Sequence, residues 1–86
     1  MKIKEGYIVR KIGSKYYAVS PARAAEGGGM IALNETGAFI WEMLKEDTTA
    51  EAVAKALAER YEIEADVALC DTEAYIRMLQ EVGALA

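Results

Sequence analysis

A chain of 86 residues, 53% of them hydrophobic, is large enough for one domain, residues 1–86, and too small for two. The net charge of −4 argues against a nucleic-acid partner, because such binding relies on cationic residues that face phosphates. There is no histidine, and Cys70 is the only cysteine, so we predict no catalytic residue, no metal site, no cofactor and no disulfide within the chain. No apolar run has the length of a membrane span, and together with the lone cysteine this predicts a cytoplasmic protein.

The first third of the chain predicts a three-stranded antiparallel sheet. Residues 7–12 and 15–20 are rich in β-branched and aromatic side chains, and the Gly13-Ser14 pair between them suits a type II′ hairpin turn. Residues 21–29 begin with proline and end in three glycines, which predicts a flexible loop. A short apolar segment, Met30–Leu33, then predicts the third strand.

The two outer strands of this predicted sheet differ in how they protect their edges. Natural proteins guard an exposed edge with lysine, proline or a bulge, because unpaired backbone groups otherwise recruit another strand. The first strand carries Arg10 and Lys11, whereas Met30–Leu33 has neither charge nor proline. The third strand is therefore predicted to be an open edge, and an extended peptide is its expected occupant.

Three amphipathic helices follow the strands. Asn34 is a good N-cap for the first, and Trp41 lies beside the apolar stripe of that helix, where core packing is expected. Thr48 and Glu51 have the spacing of a capping box for the second helix, and the third spans about residues 65–81. Helices two and three resemble a helix-turn-helix pair, so we predict an α+β, winged helix-turn-helix-like fold with the sheet in place of the wing.

The third predicted helix has two apolar stripes. The stripe with the spacing of a core face is Leu69, Thr72, Ile76 and Leu79. A second stripe, roughly opposite, is Val67, Cys70, Ala74 and Met78. Only one stripe can face the core of so small a domain, so the other is available for a partner. Cys70 itself is expected to be an inert, buried packing cysteine, because that is the common state of an unactivated thiol.

Three stretches, in this order of elements, resemble the PqqD family. They are Leu33-Asn34-Glu35-Thr36 before the first helix, Asp71-Thr72-Glu73-Ala74-Tyr75-Ile76-Arg77-Met78-Leu79 in the third helix, and the closing Gly83-Ala84-Leu85. Members of that family are peptide chaperones, also called RiPP recognition elements. They bind the leader region of a ribosomally synthesised precursor peptide and present it to a modifying enzyme, commonly a radical S-adenosylmethionine enzyme. Members tied to pyrroloquinoline quinone often carry a Pro-Glu pair before the third strand, where this chain has Glu26-Gly27-Gly28-Gly29, so another modified peptide is expected at least as much.

The resemblance also implies where a leader peptide binds. It implies that the leader adds as a strand to the third strand and lies against the third helix. The implied residues of the strand are Gly29, Met30, Ile31, Ala32 and Leu33. The implied residues of the helix are Val67, Cys70, Ala74, Arg77 and Met78. No catalytic residue is implied.

Two other functions remain open at this point. A winged-helix regulator would insert the third helix into the major groove of DNA, but Arg77 is the only cation there against Asp66, Asp71, Glu73 and Glu81. A homodimerisation module would pair the open edge with its own copy, and this is compatible with leader binding.

Overall fold

The computed structural model describes residues 1–20 and 30–86. Its strands are β1 (Ile8–Ile12), β2 (Lys15–Val19) and β3 (Met30–Leu33), and its helices are α1 (Glu35–Met43), α2 (Ala50–Tyr61) and α3 (Ala65–Glu81). Both strand pairings are antiparallel, which confirms the predicted sheet followed by three helices. The loop predicted over residues 21–29 lies outside the described residues.

The sheet has the order β1-β2-β3, so β1 and β3 are its edges. Gly13 has φ +63°, the positive value that the first central residue of a type II′ turn requires. Successive side chains of a strand point to opposite faces. The inner face packs on the helices through Ala18 and Leu33, which are buried, while Ile8 and Met30 stand exposed on the outer face.

Helix α1 joins the sheet to the core. The Asn34 side chain accepts a hydrogen bond from the backbone N–H of Gly37 at 2.8 Å, which confirms the predicted N-cap. Trp41 is 1% exposed and meets the ring of Tyr7 edge to face, with 5.1 Å between the ring centroids. The expected core position of this tryptophan is confirmed.

The predicted capping box of α2 is wrong by one residue. Thr49 is the N-cap, and its hydroxyl accepts from the N–H of Ala52 at 3.2 Å. The N–H of Thr48 instead donates to the carbonyl of Met1 at 3.0 Å. Because the N-terminal segment uses this amide, the helix begins one residue later than the local pattern of Thr48 and Glu51 indicates.

Helix α3 has the predicted bounds and packs chiefly against α2. Its core face includes Thr72 and Leu79, both 0% exposed, and the helix is followed by Gly83 at φ +75°. The prediction that Cys70 is a buried packing residue is wrong, because its side chain is exposed. Cys70 precedes Leu79 by nine residues, which at about 100° per residue places it half a turn away from the core. In the described parts of the chain, no helix is long and apolar enough to cross a membrane.

Candidate functional site

The free edge of β3 presents the backbone groups of two residues. A two-residue hairpin makes Ile12 and Lys15 a hydrogen-bonded pair, and such pairs then alternate along the ladder. Carried across β2 to the next strand, this alternation directs the N–H and C=O of Ile31 and Leu33 toward β2. Met30 and Ala32 therefore direct their N–H and C=O groups to the open side, where no described strand pairs with them.

The free edge of β1 also presents outward backbone groups, but this strand carries cationic side chains. By the same alternation, Val9 and Lys11 turn their backbone groups outward there. Lys11 places its Nζ 5.6 Å from the ring centroid of Tyr16 on β2, so its charge is held close to the first two strands. The β1 edge is guarded by cationic side chains, and the β3 edge is not.

One end of β3 is tied to α3 through Asn34. The Oδ1 atom of Asn34 accepts from the hydroxyl of Tyr75 at 3.1 Å, in addition to the N–H of Gly37 and the hydroxyl of Thr36. The Tyr75 side chain lies directly on Gly37, in space that the Cβ of any other residue would need. Asn34 and Gly37 thus serve two roles, since they begin α1 and also seat the tyrosine of α3.

The other end of β3 approaches the end of α3. Ser20 and Gly83 line the same cleft, and Ser20 follows Val19, the residue that pairs with Met30. The end of α3 and the two residues after it, residues 75–83, therefore lie beside β3 in the opposite direction. The lengths agree, because a four-residue strand spans about 13 Å and eight helical steps span about 12 Å.

A wall of three side chains, two on α3 and one on its C-cap residue Val82, faces this strand. Tyr75, Met78 and Val82 have helical spacing and are half-buried, in contrast to the fully buried residues that face α2. They pack against the edge of the core, as does Ile31 of β3. The open edge of β3 and this wall form a shallow groove, which we call the β3–α3 groove. It combines unpaired backbone groups with half-buried apolar and aromatic surface.

Four of the five residues predicted on β3 lie at the open edge of the groove or in the strand beneath it. The fifth, Gly29, lies outside the described residues. Met30 is 68% exposed, Ala32 is exposed, Ile31 is half-buried and Leu33 is 3% exposed. The two with outward side chains are also the two with free backbone groups.

The residues predicted on α3 lie at varying distances from the groove. Met78 belongs to the wall, and Ala74 is exposed beside it. Val67, 47% exposed, lies two turns before Tyr75, beyond the Asn34 end of the strand. Cys70 and Arg77 are exposed farther round the helix. Their contact with a bound peptide stays a prediction.

Sequence reasoning missed Tyr75 and Val82 as wall residues. Val82 follows Met78 by four residues, so the spacing was present in the sequence. The partner of Tyr75 is 41 residues away along the chain, and no local pattern reveals such a pair. Within residues 1–20 and 30–86, no group of three or more Cys, Asp or Glu side chains is arranged to hold a metal ion.

The fold and the open strand edge define a small winged helix-turn-helix-like protein. Residues 22–85 match the family model described as "Coenzyme PQQ synthesis protein D (PqqD)". This chain therefore belongs to the PqqD family, which confirms the resemblance seen in the sequence. A search of curated proteins finds no match.

Two solved structures share the fold. One is described as "TbiB1 in Complex with the TbiA(beta) Leader Peptide"; it is 21% identical, with a TM-score of 0.77 over 99% of this chain and 94% of that one. The other is described as "Lasso peptide synthetase B1 complexed with the leader peptide"; it is 24% identical, with a TM-score of 0.74 over 96% of this chain and 93% of that one.

Proposed function

We propose that this protein is a non-catalytic chaperone that binds the leader region of a ribosomally synthesised precursor peptide by strand addition. The observation that carries the proposal is the β3–α3 groove, in which an open strand edge lies beside a half-buried wall. Strand addition takes generic affinity from backbone hydrogen bonds and specificity from alternate side chains. Met30 and Ala32 offer the first, and the wall of Tyr75, Met78 and Val82 offers the second.

The family and both structural neighbours support this proposal. The two neighbours were each solved with a leader peptide, and this chain has their fold over nearly its whole length. The partner that then acts on the peptide is, by the family's usual role, a radical S-adenosylmethionine enzyme or another peptide-modifying enzyme. A cytoplasmic location follows from the same role, because precursor peptides are made and modified there.

The test is a titration of isotopically labelled protein with a synthetic leader from the precursor gene nearest to the gene of this chain. We expect the largest amide shifts at Met30 and Ala32 and in residues 75–82, at the end of α3, with small shifts at Lys11 on the opposite edge. A scrambled peptide of the same composition is the control. Shifts confined to another surface, with β3 and α3 unchanged, would rule the proposal out.

A second copy of the chain is the competing occupant of the same edge. An open strand edge can pair with its own copy, so a self-paired resting state is compatible with leader binding. Sedimentation over a range of concentrations separates the two: a dimer that the leader dissociates indicates shared use of the edge, and a dimer that the leader leaves intact indicates an interface elsewhere. The DNA-binding alternative gains no support, since α3 exposes Asp66, Asp71, Glu73 and Glu81.

A further inference from the structure

The outer face of the sheet exposes apolar side chains that the β3–α3 groove does not use. Ile8 is 45% exposed, Ile12 is 66% exposed and Met30 is 68% exposed. They are three of the five large hydrophobic residues that stand exposed in the described parts of the chain. Exposed apolar side chains that cluster on one face, with polar residues around them, mark interaction sites.

The strand register gathers these side chains into one surface. Ile8 pairs with Val19 and Val19 with Met30, which makes a continuous apolar row across all three strands. Arg10 and Lys15 project from the same face in the neighbouring rows. The three strands contain no acidic residue, so this face is apolar and cationic in a protein of net charge −4.

We propose that this outer face is the docking surface for the peptide-modifying enzyme, which presents to it an apolar centre bordered by carboxylates. The identity of the partner rests on the proposed function. The chemistry of the partner follows from the face itself, because Arg10 and Lys15 lie among the apolar side chains and need opposite charge across an interface. A second copy fits poorly, since stacking two such faces would bring like charges together.

Leader binding and enzyme docking are coupled through Met30. Its backbone lies on the free edge, and its side chain lies on the outer face. A leader strand added beside β3 extends the sheet, and its outward side chains continue the row that begins at Ile8. The enzyme then contacts the chaperone and the leader together, so the leader raises the affinity of the enzyme. By linkage, the enzyme raises the affinity of the leader by the same factor.

The experiment measures two affinities for each variant: that of the synthetic leader, and that of the purified modifying enzyme encoded beside the precursor gene. The test variant is Ile8→Ser combined with Ile12→Ser, and Arg10→Glu is tested separately. Lys55→Glu is the matched control for Arg10→Glu, because Lys55 is also an exposed cation but lies on α2, outside the sheet and the β3–α3 groove. Circular dichroism checks that each variant is folded.

We expect both outer-face variants to lower the affinity for the enzyme by about tenfold or more, because each removes a residue from the centre of the proposed interface. The affinity for the leader should change by less than about twofold. Raising the salt should weaken the unmodified complex more than the Arg10→Glu complex. Lys55→Glu should leave both affinities unchanged.

Three outcomes would overturn the docking surface: full enzyme affinity in both outer-face variants, an equal loss with Lys55→Glu, or self-association through this face in sedimentation. Failure of the leader to bind the unmodified protein is a separate result, which rejects the proposed function.

Discussion

Helix α3 has one side packed against α2 and another side that lines the β3–α3 groove. Toward α2 it presents residues that water does not reach, such as Thr72 and Leu79, each 0% exposed. Toward β3 it presents the half-buried wall, and the hydroxyl of Tyr75 donates to the side chain of Asn34, the residue after β3, at 3.1 Å. One side of the helix thus holds the fold together, and the other side is left accessible to a ligand.

The difference shows how a small domain can spare one helix face for binding. Burial on the α2 side stabilises the helix without help from the sheet, so the side toward β3 need not close. Tyr75 fixes the spacing at the Asn34 end of the groove, because its ring rests on Gly37. Substitutions on the two sides of α3 should accordingly differ in size and in what they change.

The largest effect is expected on the α2 side. Leu79→Ala should lower the free energy of unfolding by about 2–5 kcal/mol, because it removes a fully buried side chain and leaves a cavity. Urea denaturation measures it. Cys70→Ala, on the exposed surface of the same helix, is the control and should change stability by less than about 0.5 kcal/mol. Equal losses in the two variants would contradict the division of α3 into a packed side and an open side.

Gly37→Ala should come next, at about 1–3 kcal/mol, because the added methyl group occupies the place of the Tyr75 side chain. Tyr75→Ala provides the second arm of a double-mutant cycle. If the clash is the cause, Gly37→Ala should cost much less in the Tyr75→Ala background. Additive costs would show that the glycine serves the helix start alone.

Tyr75→Phe removes the hydrogen bond to Asn34 and keeps the ring. We expect a loss of about 0.5–1.5 kcal/mol, the net value of one such bond. Tyr17→Phe is the matched control, since the Tyr17 side chain is likewise half-buried but lies on the outer face of the sheet. A Tyr75→Phe variant as stable as the parent would mean that packing on Gly37, and not the hydroxyl, holds this end of the groove.

The last effect is a gain in stability, of a size similar to the loss expected for Tyr75→Phe. Thr72 is buried on the α2 side of α3, and its hydroxyl has no hydrogen-bond partner in the described structure. Thr72→Val keeps the shape and removes the unsatisfied group, so the free energy of unfolding should rise by about 1 kcal/mol. Thermal unfolding and urea denaturation should agree on the sign. A loss of stability would indicate that the hydroxyl has a partner after all.

Local signals predicted much of this architecture. The bounds of β3 and α3, the Asn34 cap and the glycine after α3 each follow from a few neighbouring residues, and the structure confirms all four. The groove could not be predicted from neighbouring residues alone. Tyr75 of α3 contacts Asn34 and Gly37 at the start of α1, about 40 residues earlier in the chain.

Two local predictions were wrong because the outcome depends on segments that are distant in the sequence. Thr48 looked like a cap, but the carbonyl of Met1 takes its amide. Cys70 lies on an apolar stripe, and the sequence does not tell which of two stripes faces the core. Only the packing of α3 on α2 decides that question, and it leaves the cysteine exposed.

The most direct test of strand addition at β3 compares the leader affinities of two variants, Ala32→Pro and Lys11→Pro. Both positions direct the backbone N–H outward, so proline at either removes no ladder hydrogen bond and both variants should stay folded. Ala32→Pro should weaken leader binding by about tenfold or more, because it removes a donor from the open edge and places a ring there. Lys11→Pro should bind as tightly as the parent. Equal leader affinity in the two folded variants would contradict strand addition at β3.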